Sequence, residues 1–183
     1  MRFGTALRLT LLLALIAVLF GSCALDPAAR KQKHFENGQK YFEKDKFDEA
    51  AIEFRNAIAV DPRYAEAHYR LAMTYLRTGQ RSRADQELAR TLEVQPGHFA
   101  ARIELAKLQI ASGDLQQAQE SVKTVLKEHP NDAQSHFVAA SLLAAQTNFA
   151  DAIQELQKAI ALDPSNSEFY FNLALMQLRS DQS

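Results

Sequence analysis

The feature that most constrains this chain is a period. Gly38, Tyr41, Ala50, Phe54, Ala57 and Pro62 are answered, 34 residues later, by Ala72, Tyr75, Ala84, Leu88, Thr91 and Pro96. The same step leads to Ala106, Gln109, Ala118, Val122, Val125 and Pro130, then to Ala140, Leu143, Ala152, Leu156, Ala159 and Pro164. Small residues, large apolar residues and prolines recurring in one phase are the mark of stacked repeats, each packed on its neighbours. Complete units run over 31–64, 65–98, 99–132 and 133–166, and a partial fifth over 167–183. Strand-type alternation is absent from the sequence, so the expected fold class is all-α: a solenoid of antiparallel helix pairs, four full and one unpaired.

The pattern has a physical reading. Ala50, Ala84, Ala118 and Ala152 fall where the second helix of each pair (helix B) crosses the first (helix A), and a small side chain there lets two backbones approach. Phe54, Leu88, Val122 and Leu156 fill the space toward the next unit. Gly79 and Gly113 fall in the turn after helix A, where a left-handed residue ends a helix; Asp45 and Asn148 are the expected substitutes in the other units. The periodic prolines stop helix B, because the residue before proline avoids helical geometry.

At these residues the chain resembles the tetratricopeptide repeat family, over Lys31 to the C-terminus and without gaps. That pattern has small residues at unit positions 8, 20 and 27, bulky ones at 4, 11 and 24, and proline at 32. All four complete units match at 8, 20, 24 and 32; the departures are Thr91 and Val125 at position 27 and Gln109 at position 11. The resemblance implies that the A helices line a concave surface, with positions 2, 5, 9, 12 and 13 facing it. The residues expected there are Phe35, Gln39, Phe42, Tyr69, Met73, Leu76, Ile103, Ile110, Phe137 and Phe171, an aromatic and aliphatic stripe suited to a peptide segment or partner helix. The competing reading is that the stripe is packing between repeats, above all at position 5. A clamp for C-terminal carboxylates, known in some relatives, is not expected: Phe35 and Gln39 stand where those proteins have Lys and Asn.

The first residues carry a different message. Arg2 and Arg8 precede an apolar run, Leu9 to Phe20, interrupted only by Thr10, and then Gly21, Ser22 and Cys23. A twelve-residue helix rises about 18 Å, short of the roughly 30 Å hydrocarbon core, so a secretory signal over 1–22 is expected in place of a membrane span. Phe20-Gly21-Ser22-Cys23 resembles the bacterial lipobox. That resemblance implies acylation of Cys23, the chain's one cysteine, and Ala24 after it favours the periplasmic face of the outer membrane. Residues 23–30 are then the acylated cysteine and a short linker. Arg30, Lys31 and Lys33 stand at the junction as a basic cluster, facing lipid headgroups or simply solvent.

Other chemistry finds little support. With 21 basic and 22 acidic residues the formal charge is −1, which gives no reason to expect nucleic acid as a partner. His34, His68 and His136 share unit position 4, yet equivalent positions of stacked helices lie roughly 10 Å apart, too far to share a metal held by bonds of ~2 Å. They read as one structural slot reused, and no metal or cofactor is expected. Acids such as Asp48, Glu49, Asp85, Glu87, Asp151 and Glu155 alternate with bases and read as solvated helix faces. Phosphate loops, serine-hydrolase elbows and metalloprotease helices are missing from the sequence, so no enzyme is expected.

Residues 167–183 form a helix A without a helix B, apolar almost all round through Phe169, Tyr170, Phe171, Leu173, Leu175, Met176 and Leu178. Such a helix expects cover: further repeats, a partner, or a second copy. The whole pattern resembles tetratricopeptide lipoproteins associated with exopolysaccharide export and exosortase sorting. It implies a membrane-anchored scaffold of the bacterial envelope that binds a protein or peptide. The alternatives are a pilus or outer-membrane assembly lipoprotein, or a regulator of an envelope enzyme.

Overall fold

A computed structural model describes residues 26–181; the expected leader and Cys23 lie outside the described residues. Among the described residues there are nine helices and no strand. They are α1 Pro27–Phe42, α2 Phe47–Val60, α3 Ala65–Arg77, α4 Arg81–Val94, α5 Phe99–Ser112, α6 Leu115–Glu128, α7 Ala133–Ala145, α8 Phe149–Leu162 and α9 Ser167–Ser180. The chain divides after Pro62 into two bodies. The first is the hairpin α1–α2. The second stacks α3–α4, α5–α6 and α7–α8, with α9 against α8.

Helices α3, α5, α7 and α9 begin at Ala65, Phe99, Ala133 and Ser167. The first helix departs from expectation. It begins at Pro27, with Asp26 capping the Ala28 amide, so residues 27–30 are helical where a linker was expected. Proline is suited to a first helical turn because the amide it lacks would be unpaired there. Lys31 is also not a free basic group, since its Nζ lies 2.7 Å from Asp61, the residue that follows α2.

Every A-to-B turn closes in the same way. The amide of residue 46, 80, 114 or 148 donates to the carbonyl of Tyr41, Tyr75, Gln109 or Leu143. The residue before that donor takes positive φ: Asp45 at 55°, Gly79 at 73°, Gly113 at 81° and Thr147 at 62°. The left-handed residue of the fourth turn is therefore Thr147. Asn148, expected in that role, instead caps α8 through the Asp151 amide. The 34-residue register fixes this place regardless of which side chain suits it. Each B helix ends at an extended residue before proline, Asp61, Gln95, His129 and Asp163, with φ between −138° and −132°, as the steric demand of the proline ring requires.

The crossing alanines Ala50, Ala84, Ala118 and Ala152 are completely buried. So are Phe54 and Leu88, and Val122 and Leu156 nearly so. In the first unit, a Cβ on Gly38 would stand 2.6 Å from the Phe54 ring. Glycine at this place accommodates a larger neighbour: the other units pair alanine (Ala72, Ala106, Ala140) with Leu88, Val122 and Leu156. Gln109 is likewise accommodated, because its buried Oε1 accepts the Ser121 hydroxyl at 2.9 Å, which offsets the cost of burying an amide.

Candidate functional site: the faces of the A helices

The expected stripe separates into core and surface. Phe35, Ile103 and Phe137 are only 6%, 4% and 7% exposed, which corrects their reading as groove residues. Phe35 packs on the Phe54 ring at 5.8 Å. Ile103 joins the cluster of Val122, Val138 and Leu142. Phe137 packs on Phe169 at 5.0 Å between centroids. In the second body, Ile103 and Phe137 lie between their unit's own helix B and the following helix A, so position 5 is consumed by packing in the third and fourth units, whereas Tyr69 of the second keeps part of its surface. Gln39, Phe42, Tyr69, Met73, Leu76 and Ile110 are half-buried. Phe42 meets Phe47 edge-on at 5.4 Å within the first body, and Ile110 lies against the Ile103 cluster.

On α9 the same positions are open: Phe171 is 70% and Leu178 62% exposed. Phe169 and Met176 on its other side are buried against α7 and α8. The helix that was expected to need cover all round thus has one packed face and one bare one. Among the expected stripe residues, Phe171 presents the most surface.

The α3–α5 part of this face is more polar than the sequence stripe implied. Arg70 Nε donates to Glu66 at 2.8 Å, and Lys107 Nζ to Glu104 at 3.0 Å. The His98 ring packs tilted against Tyr69 at 4.7 Å, approaches Glu66 through Nε2, and caps α5 through Nδ1. Burial first, then the Glu104 and Glu66 carboxylates, push the Tyr69 phenol above its usual range against the pull of Arg70. Tyr69 therefore remains a neutral hydroxyl over any ordinary pH, able to donate to a partner's carbonyl. Spacing of apolar residues could not reveal this, because its charges come from two helices, α3 and α5.

Sequence reasoning also missed what holds the position-4 histidines. His34, His68 and His136 each place Nδ1 2.6 Å from a carboxylate on their own helix B, Glu53, Glu87 and Glu155. Glu87 and Glu155 are therefore partners of histidines rather than solvated acids. The signal was present as a His-to-Glu spacing of 19 residues, repeated in three units and replaced together by Arg102 and Ser121 in the third. A separate polar cleft of about 450 Å³, lined by Arg81, Asp85, Gln86, Ser112, Asp114 and Gln117, lies at the turn ends of α4, α5 and α6.

With this geometry established, comparison with known proteins is informative. A family described as "Tetratricopeptide repeat" matches residues 69–118 and 103–167, a second "Tetratricopeptide repeat" family matches 155–183, and a "TPR repeat" family matches 38–79. No curated protein matches the chain. Among solved structures, MamA (residues 41 to the end) from Desulfovibrio magneticus RS-1 superposes with a TM-score of 0.74 at 19% identity, covering 83% of this chain and 86% of that one. TTC0263, a TPR protein of Thermus thermophilus, gives 0.68 at 23% identity over 81% of each chain. YrrB, described as a TPR protein with an unusual peptide-binding site, gives 0.66 at 14% identity over 81% and 76%. At these identities the likeness is one of fold.

Proposed function

Because this chain belongs to the tetratricopeptide repeat family of protein-interaction scaffolds and is not an enzyme, we propose that it is a lipid-anchored scaffold of the bacterial cell envelope, holding a partner peptide or helix along its A helices. The observation that carries the reading is the distribution of exposed apolar surface. Phe171 and Leu178 lie bare on α9, at the unit positions where Tyr69, Leu76 and Ile110 are half-exposed on α3 and α5. Apolar surface in line, flanked by the Glu66–Arg70 and Glu104–Lys107 pairs, suits an amphipathic segment whose side chains anchor at helical or extended spacing. The peptide-binding site described for YrrB is a precedent for the use of this fold.

The envelope assignment rests on the sequence from Met1 to Cys23. A signal over 1–22 followed by an acylated Cys23 would put the anchor a few residues before α1, so the array would work close to the outer membrane's periplasmic face, and exopolysaccharide export is the pathway proposed. The bare stripe on α9 is also where a second copy or further repeats would dock. Metabolic labelling with palmitate tests the anchor. The full chain should incorporate label and fractionate with outer membranes, and Cys23→Ser should abolish both; labelling of Cys23→Ser equal to wild type would contradict the assignment.

A further inference from the structure

The position-4 residue of the later units does more than face helix B. Arg102 donates from Nη2 to the carbonyl of Pro96, and the Tyr170 hydroxyl donates to that of Pro164 at 3.3 Å. Between them in sequence, His136 sets Nε2 2.9 Å from the carbonyl oxygen of Pro130. Each contact joins the first turn of a helix A to the loop six residues upstream, which leads in from the previous unit. Arginine and tyrosine can only donate here, so the place calls for a donor.

His136 meets a second acceptor on its other nitrogen, since Nδ1 stands 2.6 Å from Glu155 Oε2. A neutral imidazole carries one N–H and one lone pair, so it satisfies a carboxylate or a carbonyl, but not both. The doubly protonated ring satisfies the two together. We propose that His136 is a proton-dependent clasp: as the imidazolium it ties α7 to α8 through Glu155 and to the incoming loop through Pro130, and loss of its proton releases one of the two ties.

The surroundings agree with a charged ring. On α8, Lys158 Nζ holds the other oxygen of Glu155 at 2.7 Å. Burial raises the Glu155 titration, but hydrogen bonds from His136 and Lys158, and their charge, bring it below the ordinary carboxylate value. Glu155 is therefore an anion at neutral pH, with its Oε2 facing Nδ1. From the loop, Asp132 is engaged by the Ser135 amide and hydroxyl, and His129 packs tilted against Phe99. From α9, Glu168 is exposed. His136 and Glu155 are only 12% and 17% exposed in their side chains, so water replaces a lost Glu155 tie poorly, whereas the Pro130 carbonyl is open to solvent and is the tie that is given up. The third unit supplies the comparison: Arg102 makes the loop contact with a charge that does not titrate.

The ring with two protons makes both contacts and the ring with one proton makes a single contact, so the pairing is complete at low pH and incomplete at high pH. The test uses the full chain in detergent micelles with histidine nitrogens labelled. At pH about 6.5, the ordinary imidazole midpoint, His136 should show protons on both ring nitrogens; a single-proton ring there overturns the clasp. Urea unfolding of wild type and H136R then reads its consequence. Relative to H136R, wild type should lose about fivefold in folding equilibrium constant between pH about 5.5 and about 8, the worth of one hydrogen bond, and a difference below about twofold would overturn it. Should H136R not fold, the nitrogen spectrum of wild type decides alone. Amide exchange at Asp132 and Ala133 should quicken in wild type over the same pH range, and unchanged exchange would count against release of the loop.

Discussion

At the scale of single residues, the repeats are held by side-chain sizes that compensate pairwise. Gly38 faces Phe54, whereas Ala72 faces Leu88 and Ala106 faces Val122. The void a glycine leaves is filled by the larger ring, and the pair, not either residue, is what the fold requires. Gly38→Ala should therefore destabilise the first hairpin by about 1–3 kcal/mol, since its new methyl overlaps a completely buried ring. Adding Phe54→Leu should recover part of the loss by recreating the pair of the second unit. Urea denaturation of the two single variants and the double variant gives the coupling directly, and strictly additive effects would contradict the compensation. The Gln109–Ser121 hydrogen bond follows the same logic in polar form, a departure from the repeat pattern matched by a second departure across the interface.

At the scale of elements, the turn after each helix A is specified by backbone geometry, which side chains then accommodate at different cost. Thr147 holds φ at 62°, a region that a β-branched residue enters only with strain. Thr147→Gly should stabilise the α7–α8 hairpin by roughly 0.5–1 kcal/mol, measured as a raised thermal midpoint; a lowered midpoint would show that Thr147 contributes some contact outweighing its strain. The helix α9 offers a second contrast between adjacent side chains. Phe169 is fully buried and Phe171 mostly exposed, so Phe169→Ala should cost about 3–5 kcal/mol, and Phe171→Ala should fall within about 0.5 kcal/mol of wild type. Equal losses from the two, by denaturant titration, would mean that α9 is rotated from the orientation described.

At the scale of the whole molecule, the helix pairs were legible in the sequence because close backbone approach and chain termination tolerate few residue types. Alanine at a crossing and proline at a stop leave a periodic trace however much the rest of the unit varies. What was not legible depends on neighbours brought from elsewhere. Ile103 and Phe137 carry the same stripe pattern as Phe171, and only the presence of a following helix decides which are core and which are surface. The His–Glu pairs escaped notice because their partners sit on different helices, and the charged setting of Tyr69 because it is assembled from both α3 and α5. The start of α1 at Pro27 was hidden because the residues before the first repeat carry no periodic mark.

The central claim is that partners engage the A helices. Site-specific photo-crosslinking in living cells tests it most directly, with a photoreactive residue placed in turn at Leu76, Ile110 and Leu178 on the A helices and at Ala89 and Gln157, exposed on the B helices α4 and α8. The account predicts one shared crosslinked species from the three A-helix positions, and none from Ala89 or Gln157. Crosslinks of equal yield from the B helices, with none from Leu76, Ile110 or Leu178, would contradict it.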